Sequence, residues 1–419
     1  MLDKKNTHEQ DTVMSKVIYL DYNATTPIDP RVLDVMLPYL KDKYANPSSK
    51  YRFAMDIAIE VEKARSSIVK YIGANHSDEV IFTGSATESI NHAIRGTIKA
   101  FPERRHIITT VVEHPAVLET CKDLERDGYQ VTFLKVNENG ELSVDEFKSA
   151  ISKDTGIISI MHANNETGIV FPVGELAKLA KKINPDVLFH TDATQSMGKI
   201  DIDLNADEYK AIDFLSMSGH KVYAPKGIGI LFTRKGARLR KFITGGHHEF
   251  NKRGGTLNVP FIVGLEKAFE IFKDELSSGK QKKLEELRDL IEKELIKKIP
   301  YMNINGKKAE RLSNTTNISF DCVEGESILF QLDKMGFCIS SGSACTSGSL
   351  EPSHVLRSMH VPITSAHSSL RISLGRYTTR EEVLEFIAKL PEIISRLREI
   401  SPFWDRNNNK PNEKAIQYG

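Results

Sequence analysis

Apolar positions run through this chain in two textures. Up to about residue 260, short runs rich in valine, isoleucine, phenylalanine and threonine recur at 79–83, 106–112, 130–136, 156–163, 187–192, 211–217 and 228–233. Between several of them, at 89–99, 116–127 and 173–182, apolar residues return at three- and four-residue spacing. The runs suit strands and the wider spacing suits helices. Their alternation predicts an α/β unit with a largely parallel sheet. After residue 260 the pattern changes. Residues 261–299 read as helical, with a Lys/Glu-dense stretch at 280–298 expected to face solvent. Short strands at 314–320 and 370–374 then mix with helices at 327–335 and 380–399, an α+β pattern.

A chain of 419 residues is long for a single core, so two packed units are expected. We place a disordered N-terminal extension at 1–16, a large domain at 17–260 and a smaller C-terminal domain at 261–419. The tail from Asp405, rich in Asn, Lys and Pro, is expected to be poorly ordered.

The formal charge of +1 gives no bulk attraction to nucleic acid or to an anionic membrane. No apolar run approaches the roughly 18 residues that span a bilayer, and residues 1–16 lack the features of a signal or transit peptide. The four cysteines, Cys121, Cys322, Cys338 and Cys345, contain no Cys-x-x-Cys pair. Their spacing disfavours a zinc ribbon or a disulfide framework, so no metal is expected, and a reducing, cytoplasmic setting suits them. Cys121 and Cys338 sit in apolar patterns and read as core residues.

Cys345 differs. Its context is Ser340-Ser341-Gly342-Ser343-Ala344-Cys345-Thr346-Ser347-Gly348, small and polar throughout, which suits an exposed nucleophile on a flexible loop. A Gly/Ser linker with an incidental thiol would look similar. Other strand ends carry further candidates. The run at 79–83 opens into Gly84-Ser85-Ala86-Thr87-Glu88-Ser89, where amides at a helix start and the Thr87 hydroxyl could cradle a phosphate or simply cap the helix. His114 follows the run at 106–112 and could stack on a flat ring or move a proton. Asp192 ends its run and Gln195 follows; pyridoxal phosphate needs such a carboxylate at its pyridine nitrogen. Ser218-Gly219-His220-Lys221 ends another, supplying two phosphate donors and a Schiff-base lysine. Each residue alone has a bland reading, as a cap, a satisfied histidine or a surface lysine. The order and spacing of the set point to pyridoxal phosphate chemistry ending on a thiol.

Taken together, these segments resemble the NifS/IscS-like cysteine desulfurases of the fold-type I pyridoxal phosphate superfamily. The resemblance runs from Tyr19-Leu20-Asp21-Tyr22-Asn23-Ala24-Thr25-Thr26 to Ser401-Pro402-Phe403-Trp404 and is most specific at Ala193-Thr194-Gln195-Ser196, Ser218-Gly219-His220-Lys221 and the Cys345 loop. That loop is similar to those of the group with an extended, mobile cysteine loop. The resemblance implies a large domain with a mostly parallel seven-stranded sheet, and a smaller α+β domain that takes in part of the N-terminal segment. It implies that Lys221 holds the cofactor, Asp192 faces the ring nitrogen, His114 stacks on the ring and Gln195 meets the phenolic oxygen. Ala86, Thr87, Ser218 and His220 would bind phosphate, with Thr256 contributed across a homodimer. Asn165 and Arg371 would bind the substrate carboxylate, and Cys345 would accept sulfur from L-cysteine for iron–sulfur scaffold or other acceptor proteins. Selenocysteine lyase and other fold-type I enzymes are the alternatives. The chain departs from the family pattern at Lys50-Tyr51-Arg52-Phe53-Ala54, at Gly84-Ser85-Ala86, at Ala224, and at Phe250-Asn251, where Arg-Gly is usual.

Overall fold

The computed structural model describes residues 17–341 and 351–412. After a short strand β1 (Ile18–Tyr19) come β2 (Val80–Thr83), β3 (His106–Thr110), β4 (Gln130–Leu134), β5 (Thr155–Ser159), β6 (Leu188–Asp192), β7 (Phe214–Ser218) and β8 (Gly229–Thr233). Strands β2 to β8 form a seven-stranded sheet in the order β2-β8-β7-β6-β5-β3-β4. Only β8 runs against its neighbours. Every residue of β5, β6, β7 and β8 is buried. That accounts for continuous apolar runs rather than alternation, because helices cover both faces of the sheet. All seven sequence-predicted strands are present, trimmed by a few residues where the chain turns out of the ladder.

The second sheet is antiparallel. It contains β9 (Met302–Ile304) and β10 (Thr315–Phe320), then, after β11 (Phe337–Cys338), β12 (Ser340–Ser341) and β13 (Leu370–Ser373), in the order β12-β13-β10-β9. Strand β1 pairs with β11 in a separate two-stranded ladder, Asp21 bridges to Ser373 of β13, and Ile18 and Leu20 lie in the core beneath this sheet.

The cores divide at one glycine. Helix Val259–Ser277 buries Ile262, Leu265, Phe269 and Phe272 in the core of the large sheet. Gly279, at φ 75°, then turns the chain into helix Lys280–Lys298, which gives Leu287, Ile291 and Leu295 to the second core. The left-handed conformation there suits a residue without Cβ. The single helical stretch read at 261–299 is therefore two helices belonging to two cores, and the break falls after the expected boundary at 260. The charge-dense helix turns its Lys/Glu face to solvent, as expected, and buries an apolar stripe of Leu287, Ile291 and Leu295.

The first part of the tail, up to residue 412, differs from expectation too. Trp404–Asp405 pairs with Lys410–Pro411 in a hairpin. The Trp404 ring packs edge-on against Tyr301 at 5.6 Å, and the Arg398 guanidinium lies 4.4 Å from its centre.

Candidate active site

The carboxyl ends of β3, β6 and β7 carry His114, Asp192 and Ser218, so the strand ends face one side of the sheet, where ligands bind in open α/β folds. Asp192 is the last residue of β6, buried, with one carboxylate oxygen accepting from the Thr194 amide at 2.9 Å. Lys221 closes the single turn after β7. His114 caps helix Pro115–Arg126, its Nδ1 accepting from the Ala116 amide at 3.1 Å. Burial lowers the His114 pKa; the Asp192 carboxylate opposes this, while Lys221 and His354 reinforce it. The imidazole thus lies within electrostatic reach of both the aspartate and the lysine expected to flank the cofactor.

The N-terminal segment ties this group together. Lys221 Nζ donates to the carbonyls of Asn23 at 2.6 Å and Ala24 at 2.7 Å. Gln195 Nε2 donates to the same Asn23 carbonyl at 3.0 Å. Asn23 Nδ2 donates in turn to the Asn165 carbonyl at 3.1 Å and to Thr315 Oγ1 at 2.9 Å. Residues 21–26 thus cross from the second sheet into the mouth of the first. Sequence reading used them only to mark where the resemblance begins. Their signal was a mostly polar stretch, Asn23 to Thr26, a few residues after a short apolar strand.

At the phosphate end, Gly229 of β8 stands opposite both Thr83 and Ser218, so the turn at 84–87 and the Ser218-Gly219-His220 turn meet at one edge. A Cβ on Gly229 would lie 2.8 Å from the Ser85 backbone, so glycine permits this approach. Ser85 caps helix Ala86–Ala100 through the Glu88 amide, which leaves Ala86 and Thr87 at the first helical positions, where amides point outward. His220 shares a hydrogen bond with Thr25 at 3.1 Å, and burial pushes its pKa down to about 4. Thr256 is exposed. The segment preceding it is strained: Glu249, Phe250 and Asn251 have φ of 49°, 55° and 64°. The buried Arg65 guanidinium holds it, pairing with Glu249 at 2.7 and 2.8 Å and lying 5.1 Å from the Phe250 ring. Asparagine tolerates this conformation better than most residues, which explains how it stands where the family has glycine.

The second sheet supplies the other wall. Arg371, on β13, is buried; it donates to the Asn165 carbonyl at 3.3 Å and to Asp21 Oδ1 at 2.7 Å. Its Nε is buried and has no hydrogen-bond partner among the described residues. A buried guanidinium with an unmatched donor is costly unless a ligand completes it, and a carboxylate matches that need. Cys345 lies outside the described residues, but both flanks of its segment are described. Ser340 stands directly opposite Arg371 in the β12–β13 pair. On the far side, Ser353 donates to the buried Glu166 carboxylate, and His354 Nε2 shares a hydrogen bond with the Glu113 carbonyl at 3.0 Å, next to His114.

Two enclosed groups were not singled out from the sequence. Burial pushes Glu113 up to about 8, although Met161 and Thr110 donate to it, and its Oε2 has no partner among the described residues. Burial, reinforced by the positive charges of Lys221 and Arg371, pushes Lys199 down to about 7. By contrast, Cys121 is core, as expected, its thiol raised to about 12 by burial.

The donor set fits pyridoxal phosphate: an amine, a buried carboxylate, an imidazole, an amide donor and a helix start with two hydroxyl-bearing turns, all on one rim. Comparison with known proteins agrees. The aminotransferase class-V family model matches residues 18–386. A cysteine desulfurase of Trichormus azollae is 50% identical over 387 residues, covering 92% of this chain and 95% of that protein. A solved NifS-like protein superposes with a TM-score of 0.84 at 38% identity, over 91% of this chain and 100% of its own. The structure of SspA in complex with cysteine gives 0.75 at 38% identity, over 86% and 99%. The chain belongs to the aminotransferase class-V family of pyridoxal phosphate enzymes, and within it to the cysteine desulfurases.

Proposed function

We propose that this protein removes sulfur from L-cysteine, releasing L-alanine and leaving a persulfide on Cys345 for transfer to acceptor proteins in iron–sulfur cluster assembly. The observation that carries this reading is the position of the two flanks of the Cys345 segment. One is beside Arg371 and the other beside Glu113 and His114, so the segment starts and ends at the site.

Lys221 would hold the cofactor, with Asp192 at its ring nitrogen, His114 on its face and Gln195 at its phenolic oxygen. Ala86, Thr87, Ser218 and His220 would receive its phosphate, helped by Thr256 of the partner subunit. When bound, the cofactor supplies an electron sink that makes the Cα proton of cysteine removable. Arg371 and Asn165 take the substrate carboxylate and fix its Cα. The Lys221 amine moves the Cα proton, and His114 handles the thiol proton. The Cys345 thiolate attacks the substrate sulfur; the carbon–sulfur bond breaks and a sulfur–sulfur bond forms. In balance, one thiol and one cysteine give one persulfide and one alanine. The cytoplasm suits a catalytic thiol.

The test is alanine and sulfide release from L-cysteine, with dithiothreitol, on protein carrying its cofactor, alongside Cys345→Ala. Matched products that disappear in the variant support the reading. Alanine formed at the normal rate by Cys345→Ala, or a keto-acid product, overturns it.

A further inference from the structure

Lys199 is used by nothing described so far. It sits four residues after Gln195, in the turn that follows β6, where Met197 N bonds the Ala193 carbonyl and Lys199 N bonds the Ser196 carbonyl. Its Nζ returns to Gln195 twice, donating to the backbone carbonyl at 2.7 Å and to the side-chain Oε1 at 3.1 Å. An amide presents one accepting and one donating edge, and a lysine amine bound at the oxygen settles which edge faces which way. The donating edge, Nε2, is therefore turned to the Asn23 carbonyl, the same acceptor that Lys221 Nζ reaches.

That shared acceptor has a chemical meaning. On pyridoxal phosphate, the phenolic oxygen and the aldehyde stand on adjacent ring carbons. A group that meets the phenolic oxygen must therefore lie next to the lysine that takes the aldehyde, and it must be a donor. We propose that Lys199 is the positioning residue for Gln195, locking its amide so that NH2, and not C=O, is offered to the phenolic oxygen of the cofactor. This rests on the reading of Lys221 and Gln195 given above. Without Lys199 the amide can rotate and turn its oxygen toward a phenolate, which repels it.

The test is a double-substitution cycle on cofactor binding, read by fluorescence titration of the cofactor-free protein with pyridoxal phosphate and by the visible absorbance of the loaded protein. Lys199→Met is expected to weaken cofactor binding by about tenfold, the scale of a lost charge-assisted hydrogen bond, and to change the ratio of the cofactor's absorbance bands. Gln195→Ala should do the same, and the pair together no more than either alone. Lys199→Arg, which can still donate to the amide oxygen, should restore much of the affinity. A bare structural role in closing the turn predicts otherwise: a lower melting temperature, an unchanged spectrum, and losses that add in the double variant. Either an unchanged spectrum or additive losses overturns the proposal. If the unsubstituted protein itself takes up no pyridoxal phosphate, the proposed function and this inference fall together. If it loads normally and Lys199→Met loads equally well, only the inference falls.

Discussion

The two walls of the site are built differently. The wall made by the seven-stranded sheet gathers His114, Asp192, Gln195 and Lys221 from strand ends and the turns just beyond them. The facing wall comes from the small sheet, where Arg371 lies within β13 and the cysteine segment leaves from the neighbouring strand β12. The first wall is fixed by a mostly parallel sheet whose strands β5 to β8 are fully buried, and on the proposed function it would hold what stays put, the cofactor. The second belongs to another core and, on the same reading, would hold what must come and go, the substrate carboxylate and the sulfur. Residues 21–26 tie the two together: Asn23 binds Lys221 and Gln195 on one side and Thr315 on the other, while Asp21 holds Arg371. On the proposed function, cofactor binding and substrate capture would be divided between two cores that this strap helps to join.

Substitutions on either wall separate the halves. The largest effects are those of Lys221→Ala and Cys345→Ala, each expected to lower alanine formation by roughly 10³-fold or more. They should differ in spectrum. Lys221→Ala loses the absorbance of covalently held cofactor, whereas Cys345→Ala keeps it. Identical spectra for the two would mean that the walls are not divided as described. Next comes Arg371→Lys, which keeps the charge but loses the fork. It should raise KM for cysteine by about 10- to 100-fold and leave cofactor affinity within about twofold, since the charge-assisted bonds lost are to substrate. A comparable loss of cofactor affinity would join the two walls.

Acid should open the cofactor wall first. His92, His162 and His190 are buried in the large unit, and burial depresses their pKa values to about 4, 4 and 3. A depressed imidazole stays neutral in the folded state while the unfolded chain takes up protons near its ordinary value of about 6.5. Stability should therefore be complete above that pH and fall as pH drops from about 6.5 toward 4. Urea unfolding at pH 7 and pH 5 checks this. His190→Gln is expected to lower stability at pH 7, because it disturbs the bonds to Ser159 and Ser216, but to shrink the gap between the two pH values. An unchanged gap would remove His190 from the account. The smallest effect is at the junction of the cores. Gly279→Ala, at φ 75° and with open space around it, should cost about 1 kcal/mol from backbone strain alone and leave cysteine turnover unchanged.

The strands of the large sheet were legible in the sequence by itself, as were the candidates Lys221 and Asp192 that the structure brings to one rim; Cys345, a candidate from the sequence, lies outside the described residues. Buried parallel strands leave continuous apolar runs, and reactive side chains at strand ends interrupt them abruptly. The division at Gly279 was not legible, because an amphipathic stripe shows that a helix is covered without showing which core covers it. Nor was the role of Asn23, which acts largely through a backbone carbonyl that any residue carries. Lys199, a charge beside Gly198, was not singled out at all. Only the tertiary structure placed its amine on Gln195 and within reach of Lys221 and Arg371, because contacts between charges depend on the packing of distant segments and leave no period in the chain.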